Sequence, residues 1–139
     1  MKLYVAGKWE ERARVNRFIH AARLRGHTIT HNWTQESDEG LVGKERQTYL
    51  RSCAEDDRRG ANSCEVLVLF DHPEGRGLFV EFGLALAQRK PVVVIGAPDL
   101  GPKCCIFYLL PNVVHVADEG QALNALDSPE ALPHPKKEA

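Results

Sequence analysis

Two acidic residues, Glu81 and Asp57, lie at positions where the sequence pattern predicts burial. Every residue from Leu78 to Ala87 except Glu81 is apolar or glycine, and this pattern predicts a helix buried on nearly every side. Asp57 follows Leu50 and Cys53 at the spacing of one helix face, so we expect it on the core-facing stripe of its helix. A buried carboxylate is costly unless it is paired. Two inward carboxylates in one small domain are the pair that glycoside cleavage requires.

Glu81 is well placed to act as a nucleophile. We expect it in the first turn of its helix, where the backbone dipole favours an anion, and its neighbours three and four positions away include no cation. The preceding Gly75-Arg76-Gly77 loop allows a ligand to approach the backbone closely. Two ordinary alternatives stay open: Glu81 points to water, and Asp57 caps a helix or pairs internally.

Strand and helix patterns alternate along the chain. Continuous apolar runs at Glu65–Phe70 and Pro91–Ile95 indicate central parallel strands buried on both faces. The predicted strands are Lys2–Ala6, Thr28–His31, Glu65–Phe70, Pro91–Ile95 and Val113–Val116, and the predicted helices are Trp9–Leu24, Lys44–Arg59 (ended by Gly60), Leu78–Gln88 and Glu119–Leu126. This order predicts an α/β fold with one open, parallel, five-stranded sheet, helices on both faces and a flavodoxin-like strand order.

The predicted domain covers residues 1–127. The segment 128–139 combines three prolines with four charged residues, which predicts a disordered tail. Sheets of this kind bind ligands beyond the carboxyl ends of their strands. The segments to examine therefore follow the strands, at residues 7–9, 32–33, 71–77 and 96–99.

The composition and net charge limit the partners that this protein can bind. The chain has 139 residues and a formal net charge of −1. This charge argues against a nucleic-acid polymer as the main partner, because proteins that bind such polymers usually carry a basic face. No apolar stretch approaches the roughly 20 residues that span a bilayer, and the first residues lack the layout of a signal peptide. We expect a cytoplasmic protein without membrane contact. The four cysteines form no CxxC pair, so we read them as reduced thiols and expect no metal and no cofactor.

Four segments carry a resemblance to a known family. They are KLYVAG, DRRGANSCEVLVLF, GRGLFVEFGLALAQRKPVVVIG and IFYLLPNVVHV. Together they extend from about residue 2 to residue 116, and the third is the most specific, because it contains the pattern of the family's nucleophile. The chain resembles the nucleoside 2-deoxyribosyltransferase family, which includes nucleoside 5′-monophosphate N-glycosidases.

The resemblance implies a substrate, a mechanism and an assembly. The family's nucleophile falls on Glu81, its companion aspartate on Asp57, and the tyrosine that orients the nucleophile on Tyr4. Glu81 would attack the sugar carbon of a small-molecule nucleoside or nucleotide, and water or a second base would complete a hydrolase or transferase cycle. The resemblance also implies a homo-oligomer, in which a neighbouring subunit contributes a polar side chain from near residues 103–107 to the site. This chain has two cysteines in that segment.

Residues near the strand ends are candidates for substrate binding. Gly7, Lys8 and Trp9 follow the first strand, and Trp33 follows the second. Either tryptophan could stack on a base or simply pack in the core. The loop candidates are Gly75, Arg76 and Gly77.

The loop before Glu81 departs from the family. Gly75 stands where the transferases have an acidic residue, and Glu74, Gly75 and Arg76 stand where the nucleotide hydrolases have a serine that holds the 5′-phosphate. Lys8 or Arg76 could bind a phosphate instead, or could be an exposed cation. The base, the sugar and the presence of a phosphate stay open. So does a competing function, that of a nucleotide sensor that binds but does not turn over.

Overall fold

The computed structural model describes residues 1–97, 100–102 and 104–133. Within them the five strands form one sheet with the order β2-β1-β3-β4-β5, and all of its neighbouring strands are parallel. The α/β class and the flavodoxin-like order are therefore confirmed. The strands are β1 (Lys2–Ala6), β2 (Thr28–Ile29), β3 (Val66–Phe70), β4 (Val92–Ile95) and β5 (Val113–Val116), and the helices are α1 (Arg12–Leu24), α2 (Gly43–Ser63), α3 (Gly77–Ala87) and α4 (Glu119–Asp127).

The three central strands form the core of the sheet. All residues of β3 and β4 are buried, as the continuous apolar runs predicted. In β1 only Lys2 is exposed, and Tyr4 is aligned with Leu67 of β3. Helix α1 lies beside α4, where Arg14 and Glu119 form an ion pair, and α2 packs beside α3. This arrangement brings the carboxyl ends of β1 and β3 next to each other.

The predicted end of α2 was wrong. Gly60 does not stop the helix, which continues to Ser63. It lies inside the last turn because the backbone passes very close to the sheet there. A Cβ atom at this position would lie 2.8 Å from Cδ2 of Tyr4 and 2.8 Å from Cβ of His31. Glycine thus allows the contact between α2 and β1 instead of marking a helix end.

The burial predicted for α2 and α3 was too high. Leu50 is 38% exposed and Asp57 is only half-buried, so the stripe that includes them does not face the core. Asp57 lines a cleft instead. In α3, Leu78, Phe82 and Ala85 are buried, whereas Val80 is 67% exposed. A helix in an outer layer of a single chain contacts the sheet along one face only. The remaining apolar residues of α3 therefore reach the surface.

Part of the predicted tail packs on the domain. Pro129–Ala131 form a short 3₁₀ helix and Leu132 is 4% exposed. The rest of that predicted tail, residues 134–139, lies outside the described residues, as do Pro98 and Asp99 of the predicted loop 96–99 and Lys103. In the part of the chain that is described, no helix has the length and apolar character needed to cross a membrane. The cytoplasmic location stays a prediction.

Two glycines in helices give a matched test of the α2–β1 contact. We expect Gly60→Ala to lower the free energy of unfolding by about 1–3 kcal/mol, because the new methyl group overlaps Tyr4 and His31. Gly83→Ala adds the same group in α3, where it would meet no atom within 4 Å outside the neighbouring backbone of the helix and the two adjacent residues, and should stabilise by up to about 1 kcal/mol. Urea unfolding monitored by circular dichroism measures both. Equal effects of the two substitutions would contradict the close approach.

Candidate active site

A cleft of about 890 Å³ opens at the carboxyl ends of β1 and β3. Its wall contains nine of the ten residues that the sequence suggested for catalysis or binding, and they are Gly7, Lys8, Trp9, Trp33, Asp57, Gly75, Arg76, Gly77 and Glu81. The tenth, Tyr4, is completely buried in β1. The cleft is large enough for a nucleotide-sized ligand.

The Glu81 carboxyl group is held in an environment that disfavours its charge. Helix α3 begins at Gly77, so Glu81 is its fifth residue and lies beyond the first turn where it was expected. The benefit of the helix dipole is correspondingly smaller. Burial raises the pKa of Glu81 to about 8, and the negative charges of Asp57 and Glu36 also raise it. No ion pair to Glu81 exists among the described residues.

Tyr4 lies against Glu81. Its hydroxyl group lowers the pKa of Glu81, whereas burial and the charges of Glu81 and Asp57 raise the pKa of the Tyr4 hydroxyl. Tyr4 Oη and Glu81 Oε2 are both buried, and neither forms a hydrogen bond of good geometry with any described residue. Tyr4 is therefore a neutral donor beside a carboxyl group with unused acceptor capacity. Glu81 also lines the cleft, so a ligand that enters would lie next to its side chain.

Asp57 belongs to a group of three that the sequence did not predict. Nε2 of His31 lies 3.3 Å from Oδ1 of Asp57 and 2.5 Å from Oε1 of Glu36. Burial and the nearby charge of Glu36 raise the pKa of Asp57, and the charge of His31 lowers it, with the result that this pKa is about 7. Asp57 is thus poised to hold or release a proton near neutral pH.

The sequence reasoning missed His31 for an identifiable reason. The second strand was predicted to include it, but β2 ends at Ile29, so His31 already lies in the region after the strand end. A predicted strand that ended at Ile29 would have placed His31 among the candidate residues that follow strand ends. Glu36, which also lines the cleft, lies in a polar loop whose sequence shows no pattern that distinguishes it from its neighbours.

The same three side chains could bring ligand atoms to a cation. His31, Glu36 and Asp57 each offer one atom, and these atoms lie within 4.8 Å of one another. Imidazole and carboxyl groups that hydrogen-bond to one another adopt the same distances, so the spacing does not identify a metal site. The expectation of no metal and no cofactor stays a prediction.

The two tryptophans differ in what they can contact. Trp33 is 7% exposed and its indole Nε1 donates a hydrogen bond of 2.6 Å to the carbonyl oxygen of Val5, so it mainly fixes the loop after β2. Trp9 is 42% exposed, and the guanidinium carbon of Arg12 lies 4.4 Å from its ring centroid. Trp9 is therefore the more accessible of the two for stacking on a ligand.

Cations lie at the rim of the cleft. Lys8 Nζ lies 3.2 Å from Oε2 of Glu74 and 3.7 Å from Oε2 of Glu10. This contact joins the loop after β1 to the loop after β3. Arg76 is exposed at the same rim and forms no ion pair within the described residues. An anionic group on a ligand would find at least one uncompensated charge here.

This architecture is shared with a solved structure. It is the CMP N-glycosidase BcmB of Clostridium botulinum, with a TM-score of 0.61 at 20% sequence identity. The alignment covers 91% of this chain and 98% of that one. No protein-family model matches the sequence, and no curated protein is significantly similar to it. The shared fold is consistent with the family resemblance seen in the four sequence segments.

The raised pKa of Glu81 predicts a pH-dependent cost to stability. Between the ordinary glutamate pKa and about 8 the folded state binds more protons than the unfolded state, so the free energy of unfolding falls as pH rises through this range. Glu81→Gln removes that cost. We expect the variant to be more stable than the wild type at pH 9, by a few kcal/mol, and to gain little at pH 4.5. Urea unfolding at both pH values tests this, and an equal gain at both would refute it.

Proposed function

We propose that this protein hydrolyses the N-glycosidic bond of nucleoside 5′-monophosphates, with Glu81 as the nucleophile. The observation that carries the proposal is that Glu81 and Asp57 line one cleft while buried Tyr4 lies against Glu81. Two carboxyl groups with different surroundings are what this chemistry needs, one to attack and one to move a proton.

In the first step, an ionised Glu81 attacks the anomeric carbon of the sugar. A new C–O bond forms while the C–N bond breaks, and its electron pair goes to the base. The proton that the base nitrogen needs comes from the Asp57 carboxylic acid. The Tyr4 hydroxyl, which lies beside Glu81, orients the attacking oxygen. The products of this step are the free base and a glycosyl ester of Glu81.

In the second step, water replaces the enzyme at the same carbon. The Asp57 carboxylate accepts a proton from the attacking water, and the ester bond to Glu81 breaks. This returns Glu81 as a carboxylate and Asp57 as an acid, with sugar 5-phosphate as the product. Because proton transfers balance between the two steps, one carboxyl pair suffices for the whole cycle.

Three further observations support a nucleotide as the substrate. The fold neighbour from Clostridium botulinum is a CMP N-glycosidase, which makes the same bond in a nucleotide the first candidate here. Arg76 and Lys8 line the cleft at its rim, where a phosphate could pair with them. Trp9, at the same rim, offers an exposed aromatic face to a base.

Exposed apolar side chains support the homo-oligomer that the family resemblance implied. Ile106 is 69% exposed and Leu109 is 63% exposed in one 3₁₀ helix, and Val80 of α3 is 67% exposed. The 3₁₀ helix and α3 are neighbours, since the rings of Phe79 and Tyr108 lie 6.1 Å apart. Together they form an apolar surface that a second copy of the chain could cover.

Loss of the nucleophile tests the proposed chemistry. The wild type should release free base from one or more nucleoside 5′-monophosphates, as measured by liquid chromatography. Glu81→Gln keeps the shape of the side chain but cannot form the ester, so we expect kcat to fall by at least about 10³-fold. A substrate whose sugar carries fluorine at C2 should slow hydrolysis of the glycosyl ester. The mass of the wild type should then increase by that of the sugar phosphate, whereas the mass of Glu81→Gln should not change.

Matched measurements separate this function from its competitors. Glu65→Gln changes an exposed glutamate outside the cleft and should retain wild-type activity. Product that appears only when an acceptor base is added would make the protein a transferase. If the wild type binds nucleotides and releases no base from any of them, it is a sensor and the proposed hydrolysis is wrong.

The rim cations make a second prediction about the substrate. Arg76→Ala removes an exposed guanidinium that could pair with the 5′-phosphate, so we expect KM for the best monophosphate to rise about tenfold. KM for the matching unphosphorylated nucleoside should not change. Arg51→Ala removes an exposed arginine of α2 that does not line the cleft and serves as the control. A similar rise in KM for the nucleoside and the monophosphate in Arg76→Ala would show that Arg76 does not bind the phosphate.

A further inference from the structure

We propose that Glu36 is a positioning residue for this reaction, which helps Asp57 to retain the catalytic proton. This inference rests on the proposed function, since it assigns a role within the same site. Glu36 acts through Asp57, because its carboxyl group and Asp57 both contact the His31 ring.

The loop that carries Glu36 is fixed at both sides. Before it, buried Trp33 donates a hydrogen bond to the carbonyl oxygen of Val5. After it, the backbone N–H of Ser37 donates a 2.9 Å hydrogen bond to the hydroxyl oxygen of Tyr49 in α2. These anchors hold Glu36 over Asp57 of the same helix. Its position is therefore set by the fold rather than by chance contact of a mobile side chain.

His31 links the two carboxyl groups directly. Its Nε2 lies 2.5 Å from Glu36 and 3.3 Å from Asp57, and each of the three side chains has one atom within 4.8 Å of the others. Two carboxyl groups this close resist losing the last proton, because both would then be charged.

The proposed chemistry needs one ionised and one protonated carboxyl group in the same site. Glu81 must be ionised to attack while Asp57 must be protonated, yet burial favours protonation of both groups, and the pKa of Glu81, about 8, lies above that of Asp57, about 7. Glu36 raises the pKa of Asp57 more than any other charge does, and its effect on Glu81 is the smallest of the contributions there. The charge of Glu36 therefore favours a proton on Asp57 more strongly than it favours one on Glu81.

The other groups around Asp57 do not supply this effect. Asp57 interacts electrostatically with groups from four parts of the fold: Tyr4 of β1, Glu81 of α3, Cys53 and Asp56 of α2, and His31 and Glu36 of the loop after β2. Tyr4 and Cys53 have raised pKa values and stay neutral near pH 7. Asp56 raises the pKa of Asp57 less than Glu36 does, and His31 lowers it. Removal of Glu36 and removal of His31 should thus have opposite effects.

The pH dependence of kcat/KM for base release tests this role. The decrease in kcat/KM at high pH, the alkaline limb, reports deprotonation of the group that donates a proton to the leaving nucleobase, which is Asp57 in the proposed mechanism. Glu36→Gln removes the charge that retains this proton, so we expect the limb to move to lower pH by about one unit. His31→Gln should move it to higher pH. Glu39→Gln removes the same charge from an exposed position in the same loop and should leave the limb in place.

A titration of the unliganded protein separates this inference from the proposed function. Carbon-13 NMR of the side-chain carboxyl groups, with Asp57 assigned from Asp57→Asn, should show a lower pKa of Asp57 in Glu36→Gln. If wild type releases base but neither the limb nor this titration moves in Glu36→Gln, the role of Glu36 is wrong and the proposed function stands. If the titration moves but wild type releases no base, the proposed function is wrong, and with it the catalytic role of Glu36.

Discussion

The carboxyl group of Glu81 is buried without a cation, and the chemistry of the site depends on this constraint. Water is removed from it by the cleft wall and by Tyr4 beneath it, and its pKa rises to about 8 as a result. This arrangement costs the folded protein stability as pH rises from the ordinary glutamate pKa to about 8. The proposed function gives the arrangement a use, because the ionised carboxylate would attack an electrophilic carbon of the ligand.

The parallel sheet is what makes this assembly possible. Tyr4 comes from β1, Glu81 from the helix after β3, and Asp57 from the helix before β3. These segments are far apart in sequence, but β1 and β3 pair directly, so the elements that follow their carboxyl ends share one edge. Gly60 is the remaining requirement, because only a residue without a side chain lets α2 approach Tyr4 closely enough to bring Asp57 to the cleft.

The two carboxyl groups of this site have different neighbours. Glu81 lies beside Tyr4, whereas Asp57 lies beside His31 and Glu36. The proposed mechanism uses this difference, since it assigns the attack to Glu81 and the proton transfer to Asp57.

The sequence by itself determined the sheet and most of the cleft, because both depend on local patterns. Apolar runs identify β3 and β4, and polar or glycine residues directly after strands line the ligand edge. Glu81 stood out because a charge in an apolar helix is visible in sequence. Tertiary structure alone decided the partners of Asp57: His31 and Glu36 reach it through a loop whose path depends on Trp33 and Tyr49. It also decided that Gly60 continues α2 and that Val80 is exposed, since both depend on which surfaces meet across the fold.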